Sequence, residues 1–188
     1  WTLEYFGHTD VSVLHGGLAA WSGEGRPLSA EATNPPAGDF EARAESDRLA
    51  GMGDVLDRLD DPDAMILDTR SPAEFAGEDV RAARGGHIPG AVNVDWILAS
   101  NDTAAPTLKP AEELRALYEG AGVTPDRAMI LIYCQSGMRA SHTYLVLRLL
   151  GYENLRLYDA SWAEWGNDAE VPIESGAGAA SESVADPA

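Results

Sequence analysis

The sequence predicts an α/β protein with a central, mostly parallel sheet and helices on both faces. Short apolar runs typical of strands alternate along the chain with segments whose apolar residues recur at helical spacing. The run 129–133 is apolar throughout, as expected for a strand that is buried on both faces. Because strands and helices alternate, crossover helices are expected to join parallel strands.

The elements follow one another between residues 49 and 158. The first predicted helix ends before Asp61-Pro62 and rests on apolar residues at helical spacing: Leu49, Met52, Val55, Leu56 and Leu59. Further strands are predicted at 64–67, 91–94, 129–133 and 155–158. Helices are predicted at 110–120 and 141–150, and a third begins at Ser71-Pro72, where Ser71 caps it and Glu74 completes a capping box.

The segment from Leu3 to Trp21 is echoed near the C-terminus at a constant offset of 144 positions. The corresponding pairs are Leu3 and Leu147, Gly7 and Gly151, Val11 and Leu155, Val13 and Leu157, Ala19 and Ala163, and Trp21 and Trp165. Both copies are typical of a helix closed by glycine, a short strand and a helix start that carries Trp. We therefore expect residues 1–28 to be the end of a first repeat whose body is absent from a processed or truncated chain.

The rest of the domain organisation follows from composition. Residues 29–47 are rich in Ala, Pro, Glu and Gly without firm periodicity, so we expect an interdomain linker. The main domain is expected at 48–175. A Gly/Ala/Ser/Glu-rich tail at 176–188 is expected to be disordered.

The chain is strongly acidic, with 31 acidic against 13 basic residues and a net charge of -18. Lys109 is the only lysine, which favours adaptation to high salt over an ordinary acidic protein. Binding to nucleic acid or to an anionic membrane is disfavoured, since both require clustered cations. With no apolar run of membrane-spanning length and no signal peptide, we expect a soluble cytoplasmic protein.

Cys134 is the single cysteine, so an internal disulfide and a zinc site built on several thiolates are excluded. No paired His or carboxylate spacing predicts another metal site. A lone Cys is by default a small buried apolar residue. Cys134, however, follows a buried strand and precedes a helix, which places it at the carboxyl edge of a parallel sheet, where such folds bind ligands. Loop amides there can stabilise a thiolate, Gly137 permits a tight curl, and Arg139 adds positive charge.

Four motifs together carry a family resemblance. They are Asp68-Thr69-Arg70, Gly86-His87-Ile88-Pro89-Gly90-Ala91, the loop Cys134 to Ala140, and Tyr158-Asp159-Ala160-Ser161-Trp162 with Trp165-Gly166. Because all four motifs occur in this order, the chain resembles the C-terminal catalytic half of a tandem-domain rhodanese, a thiosulfate sulfurtransferase, over about residues 50–173. The resemblance implies a rhodanese-like fold and a two-step cycle. Thiosulfate leaves its outer sulfur on Cys134 and releases sulfite, and cyanide or a thiol then removes that sulfur, without metal or organic cofactor.

The resemblance also assigns roles within the site. Substrate binding is expected from Gln135, Ser136, Gly137, Met138, Arg139 and Arg70. Supporting roles are expected from Asp68, Asp159 and His87, and an alternative for Arg70 is to brace the loop together with Asp159. We interpret His87 as a turn residue rather than a catalytic base, and Trp162 and Trp165 as core anchors.

Several alternatives remain open from the sequence. Arg139 favours dianionic thiosulfate, whereas Ser136 resembles the mercaptopyruvate-using branch. Where animal relatives carry a substrate-binding arginine this chain has Glu74, so the second anion contact is left to Arg70, Arg81 or Arg84. Related cysteine phosphatases have five residues between Cys and Arg, and here only four intervene, which favours sulfur.

A noncatalytic or persulfide-carrier module is the competing functional class. In tandem relatives the active site lies between the two halves, so the missing N-terminal domain, possibly as a separate chain, is an expected partner. We expect Leu3, Phe6, Val11 and Val13 either to pack on the catalytic domain or to require that separate chain.

Overall fold

Five short strands form one parallel sheet in the computed structural model, which describes residues 1–176. The strands are β1 (Leu49–Ala50), β2 (Ala64–Asp68), β3 (Val92–Asn93), β4 (Met129–Tyr133) and β5 (Leu155–Tyr158). Their order across the sheet is β1-β5-β4-β2-β3, and every neighbouring pair is parallel. Asp68 pairs in register with Tyr133, so β2 and β4 end level with each other. The segments that follow these two strands therefore leave the sheet side by side.

The helices of the described residues are short, and most of them connect successive strands. They are α1 (Thr2–Tyr5), α2 (Gly17–Gly23), α3 (Met52–Leu56), α4 (Pro72–Ala76), α5 (Ala111–Gly120), α6 (Met138–Leu149) and α7 (Ser161–Trp165). Two 3-10 turns, at Ser46–Arg48 and Trp96–Ala99, complete the elements.

Two apolar clusters cover the two faces of the sheet. Side chains alternate between faces along each strand, so neighbours in sequence enter different clusters. One cluster includes Leu67, Ile130, Ile132 and Leu157, and the other includes Ile66, Leu131, Tyr133 and Tyr158. Burial on both faces explains the uninterrupted apolar run of β4. The predicted α/β class with a parallel central sheet is confirmed.

Most elements agree with the prediction, and the differences occur where the pattern is short. The helix expected over residues 49–59 is divided, because Leu49 pairs with Leu157 at the sheet edge and only Met52–Leu56 is helical. The strand expected at 91–94 shortens to Val92–Asn93. At the start of α4 the predicted capping box is present, with the Glu74 amide donating to Ser71 Oγ over 3.3 Å.

The strand predicted at residues 11–13 is wrong, since this segment has no regular structure and no neighbouring strand among the described residues to pair with. For the apolar side chains of residues 1–28 the sequence left two alternatives, packing on the main domain or contact with a separate chain, and the first does not hold for three of them. Leu3, Phe6 and Val13 are exposed. Trp1 instead packs against the core, and Glu4 accepts hydrogen bonds from Arg48 and Tyr144.

The predicted linker, residues 29–47, lacks helices and strands until the turn at Ser46–Arg48 and is exposed almost throughout. The predicted tail, residues 176–188, lies outside the described residues except for Gly176. Among the helices of residues 1–176, each is too short or too polar to cross a lipid bilayer.

Candidate active site

Cys134 lies directly after β4, and α6 begins four residues later at Met138. The Cys134 residue is 1% exposed and belongs to one of the two core clusters. Gly137 precedes α6 with a φ of 76°, a conformation that favours glycine. The chain therefore turns sharply from strand to helix around the cysteine, as the spacing of Cys134 and Gly137 predicts.

Ser161 fastens this turn to the start of α7. Its hydroxyl oxygen accepts hydrogen bonds from the amides of Cys134 (3.2 Å) and Gly137 (3.1 Å) and donates to the Tyr158 carbonyl (2.7 Å). Two backbone bonds extend the attachment, from the Trp162 amide to the Cys134 carbonyl (3.0 Å) and from the Ala163 amide to the Gln135 carbonyl (2.8 Å). The loop is thus held along its length by one neighbouring segment.

The bracing role predicted for Asp159 belongs to Ser161. Asp159 is exposed and makes no hydrogen bond with any residue in the range 1–176. It matters sterically, since a Cβ at position 137 would lie 3.0 Å from the Asp159 carbonyl oxygen and would overlap its carboxylate. Sequence reasoning missed Ser161 because its hydroxyl bonds to residues 24 and 27 positions away.

The remaining loop amides are available to a ligand. Among residues 1–176, no acceptor bonds the backbone N–H groups of this set: Gln135, Ser136, Met138, Arg139 and Ala140. The last three are the orphan donors that open every helix. Convergent N–H groups at a helix N-terminus stabilise an anion. Met138 and Ser136 are exposed beside them, so the loop is reachable from solvent.

Arg139 does not extend freely over the loop, because it is paired with Glu74. Nη1 and Nη2 of Arg139 each lie 2.7 Å from one carboxylate oxygen of Glu74, which is 1% exposed. The Ser71 amide and hydroxyl also donate to this carboxylate, over 3.1 and 3.0 Å. Burial opposes ionisation of Glu74, but the hydrogen bonds from Arg139 and Ser71 lower its pKa to about 2. The hydrogen bonds to Glu74 raise the pKa of Arg139, so the pair stays charged.

Arg70 is enclosed by protein. It is 1% exposed, its Nη2 lies 2.6 Å from an Asp68 carboxylate oxygen, and the same atom donates to the Gly86 carbonyl over 2.7 Å. Its guanidinium carbon lies 4.4 Å from the ring centroid of Trp162. These contacts favour the bracing alternative for Arg70, between β2 and the turn at Gly86, over the predicted substrate contact.

The other candidate arginines differ from each other. The Arg84 guanidinium donates hydrogen bonds to backbone carbonyls, including those of Val171 (3.0 Å) and Trp165 (3.2 Å). Arg81 is half exposed and lies beside the site, with its Nη1 3.7 Å from a Glu74 carboxylate oxygen. The side-chain amide of Gln135 donates to the Arg81 carbonyl over 3.1 Å and ties it to the loop.

His87 packs in the turn before β3. It is 2% exposed, its ring stacks on Phe75 with centroids 3.6 Å apart, and Nδ1 lies 2.8 Å from the Phe75 carbonyl oxygen. This agrees with a turn residue rather than a catalytic base. The expectation of core anchors is confirmed for Trp162 and Trp165, which are buried with their indole N–H groups bonded to backbone carbonyls.

A group that the sequence did not single out lies after β3. Asp95 is half-buried, and burial raises the pKa of its carboxyl. The next residue, Trp96, meets His142 of α6 edge-on with ring centroids 5.3 Å apart. Burial lowers the pKa of His142, which disfavours its charged form. Within the described part of the chain, no cluster of His, Cys, Asp and Glu has the arrangement of a metal site.

Comparisons with known proteins agree with this geometry. The family model described as rhodanese-like domain matches residues 52–168. The chain is 44% identical to a sulfur carrier protein of Thermus thermophilus, over 94% of this chain and 65% of that protein. It is 40% identical to a thiosulfate sulfurtransferase of Azotobacter vinelandii, over 93% of this chain and 63% of that protein.

The fold also matches solved structures. One of them is the anaerobic ergothioneine biosynthesis enzyme of Chlorobium limicola in complex with trimethyl histidine, with a TM-score of 0.81 and 26% identity. The match covers 92% of this chain and 43% of that enzyme. The chain thus spans less than two thirds of the length of each of these two relatives and less than half of the length of the solved enzyme.

Proposed function

This chain belongs to the rhodanese-like domain family, and we propose that it acts as a sulfurtransferase which carries the outer sulfur of thiosulfate on Cys134. The observation that carries this proposal is the set of unbonded amides around a strand-to-helix turn that begins at the single cysteine. Such amides stabilise both a thiolate and the anionic persulfide that replaces it.

In the first step the Cys134 thiolate attacks the outer sulfur of thiosulfate. The new S–S bond forms as the S–S bond of thiosulfate breaks, and the bonding pair leaves with sulfite. The loop amides without an acceptor among residues 1–176, those of Gln135, Ser136, Met138, Arg139 and Ala140, are placed to stabilise the negative charge throughout, since they need no rearrangement. Arg139 contributes a fixed cation, which Glu74 holds in position.

In the second step an acceptor removes the sulfur. Cyanide or a thiolate attacks the outer atom of the Cys134 persulfide, and the bonding pair returns to Cys134 as a thiolate. Thiocyanate or a new persulfide leaves, and the loop is ready for another donor. Each bond formed is matched by a bond broken with no net gain or loss of electrons, so the cycle needs no outside oxidant or reductant.

Intact-protein mass measurement tests the proposal. After incubation with thiosulfate the wild type should gain the mass of one sulfur atom, and subsequent cyanide should remove it with release of thiocyanate. Cys134→Ser should gain nothing, because the hydroxyl is a poor nucleophile toward sulfur. A wild type that gains no sulfur would contradict the proposal.

A persulfide carrier is the second candidate, and the sulfur carrier protein of Thermus thermophilus supports it at 44% identity. A carrier would load sulfur in the same way but discharge slowly to cyanide and rapidly to a protein thiol. Mercaptopyruvate is the alternative donor, with Ser136 as its sequence feature. Comparing the loading rates for thiosulfate and mercaptopyruvate separates the two donors.

Three broader expectations belong to the same proposal. The repeat between residues 3–21 and 147–165 supports a second rhodanese-like unit that faces the loop, in the same or another polypeptide. The net charge of -18 and the single lysine support function at high salt. We also propose a cytoplasmic location, where thiol acceptors are kept reduced.

A further inference from the structure

We propose that Arg81 is the second anion contact of the site and binds the sulfonate end of the sulfur donor. The inference rests on the proposed function, since it names a substrate-binding residue for that reaction. In this arrangement Glu74 positions Arg139, and Arg81 supplies the cationic donor that the Arg139–Glu74 pair alone does not.

The first argument is the charge balance at the loop. Arg139 is neutralised by a carboxylate that is buried and held ionised, with both of its oxygens 2.7 Å from the guanidinium nitrogens. A dianionic donor therefore meets no net positive charge from this pair. Arg81 brings a further guanidinium close to it, and although Asp79 offsets that charge, the Arg81–Asp79 pair is exposed to solvent and leaves Nη1 of Arg81 without a hydrogen-bond acceptor among residues 1–176.

The second argument is the elimination of the other nearby arginines. The Arg70 guanidinium donates hydrogen bonds to the Asp68 carboxylate and to the Gly86 carbonyl, and the residue is 1% exposed. Arg84 donates to the backbone carbonyls of Trp165, at the end of α7, and of Val171. Neither can turn toward a ligand without leaving its hydrogen-bond partners unsatisfied.

The third argument is the geometry of Arg81. Its Nε and Nη2 donate to one oxygen of Asp79, over 2.9 and 2.6 Å, while Nη1 donates to no acceptor within residues 1–176. Nη1 points toward the site, 3.7 Å from a Glu74 oxygen, which is too long for a hydrogen bond. The side chain is 52% exposed, so a ligand can reach it.

The Arg81 backbone is also bonded to the loop that begins at Cys134, because the side-chain amide of Gln135 donates to the Arg81 carbonyl oxygen over 3.1 Å. The hydrogen bond keeps the Arg81 backbone beside the loop, and the pairing with Asp79 restricts the positions of the guanidinium. Arg139 of α6 and Arg81, in the segment between α4 and β3, both lie beside Glu74. An oxyanion bound between Arg81 and the loop would accept hydrogen bonds from Arg81 Nη1 and from the loop amides.

The test measures how sulfur loading depends on thiosulfate concentration, separately from discharge by cyanide. Arg81→Gln should raise the half-saturating thiosulfate concentration about tenfold and leave the discharge rate of the preloaded protein unchanged. Arg81→Lys, which keeps the charge, should restore loading to within about threefold of wild type. Arg58→Gln is the matched control, since Arg58 is an exposed arginine paired with Asp61 at 2.6 Å away from the site. It should load like wild type.

Equal half-saturating concentrations for Arg81→Gln and Arg58→Gln would overturn the inference while leaving the proposed function intact. Absence of loading in the wild type would instead contradict the proposed function. Asp79→Asn provides a second measurement that does not depend on the folding of the Arg81 variants. Freeing Arg81 from its partner should lower the half-saturating concentration about twofold to threefold, and an unchanged or higher value would also overturn the inference.

Discussion

At the scale of single residues, the site depends on Glu74 as much as on Cys134. A buried carboxylate beside the Cys134 loop would by itself repel an anionic substrate. Glu74 accepts two hydrogen bonds from Ser71 and two from Arg139. Through the latter two it holds Arg139, the only cationic residue between Cys134 and Ala140, in position. Breaking one side of such a pair leaves the other charge buried without compensation.

Glu74→Gln should destabilise the protein in a pH-dependent way. A carboxyl whose pKa falls from 4.5 to about 2 on folding contributes roughly 3 kcal/mol of stability at neutral pH. That contribution is present above pH 4.5 and is lost as the pH falls toward 2. Chemical denaturation at pH 7, 5 and 3 should therefore show a large difference between wild type and variant that narrows at the lowest pH.

The control for this experiment is Glu41→Gln. Glu41 is 81% exposed and pairs with Arg43 at 3.3 Å, so its loss should cost less than about 1 kcal/mol at every pH. A difference between wild type and Glu74→Gln that is small at pH 7, or that stays constant down to pH 3, would contradict the account of Glu74.

At the scale of elements, α6 follows the loop that begins at Cys134, and two glycines with positive φ lie at its two ends. Gly137 precedes it with a φ of 76° and Gly151 follows it with a φ of 92°. The two positions differ in their surroundings. A Cβ at Gly137 would strike Asp159, whereas a Cβ at Gly151 would meet nothing within 4 Å.

This difference gives a matched pair of variants. Both Gly137→Ala and Gly151→Ala should lose about 1 kcal/mol from the unfavourable backbone conformation. Only Gly137→Ala should also displace the loop and slow sulfur loading by thiosulfate by about tenfold or more. Equal loading rates for the two variants would show that close contact with Asp159 does not shape the loop.

The same elements show what sequence reasoning can reach. The succession of β4, loop and α6 is predictable, because a fully apolar run, Gly137 and a following helical pattern are local signals. Strand β1 could not be predicted, because it has only two residues and the apolar residues around it recur at helical spacing. Ser161 and the Glu74–Arg139 pair join segments that are 24–65 positions apart, so only the folded chain brings them together.

At the scale of the whole molecule, the N-terminal segment and the surface charge matter most. Leu3, Phe6, Val11 and Val13 were expected either to pack on the catalytic domain or to require a separate chain, and the contacts of this segment with the domain include Trp1 and the hydrogen bonds of Glu4. The sequence could not show which side chains of the segment make contact, because α1 is a single turn whose buried side depends on its partner.

The net charge of -18 predicts a strong dependence of stability on salt. Screening of mutual repulsion should raise the thermal unfolding midpoint by about 5 °C or more between 0.05 and 2 M potassium chloride. If the protein is adapted to high salt, the midpoint should continue to rise above 1 M. A midpoint that levels off below about 0.2 M would indicate ordinary charge screening and contradict that adaptation.

The central claim, that Cys134 carries the outer sulfur of thiosulfate, is tested most directly with two isotopically labelled thiosulfates. One carries heavy sulfur at the outer position and the other at the inner position, and each loaded protein is digested and mapped by mass spectrometry. The account predicts heavy sulfur on the Cys134 peptide from the outer-labelled donor and none from the inner-labelled donor. Heavy sulfur from the inner position, or unlabelled Cys134 in both samples, would contradict it.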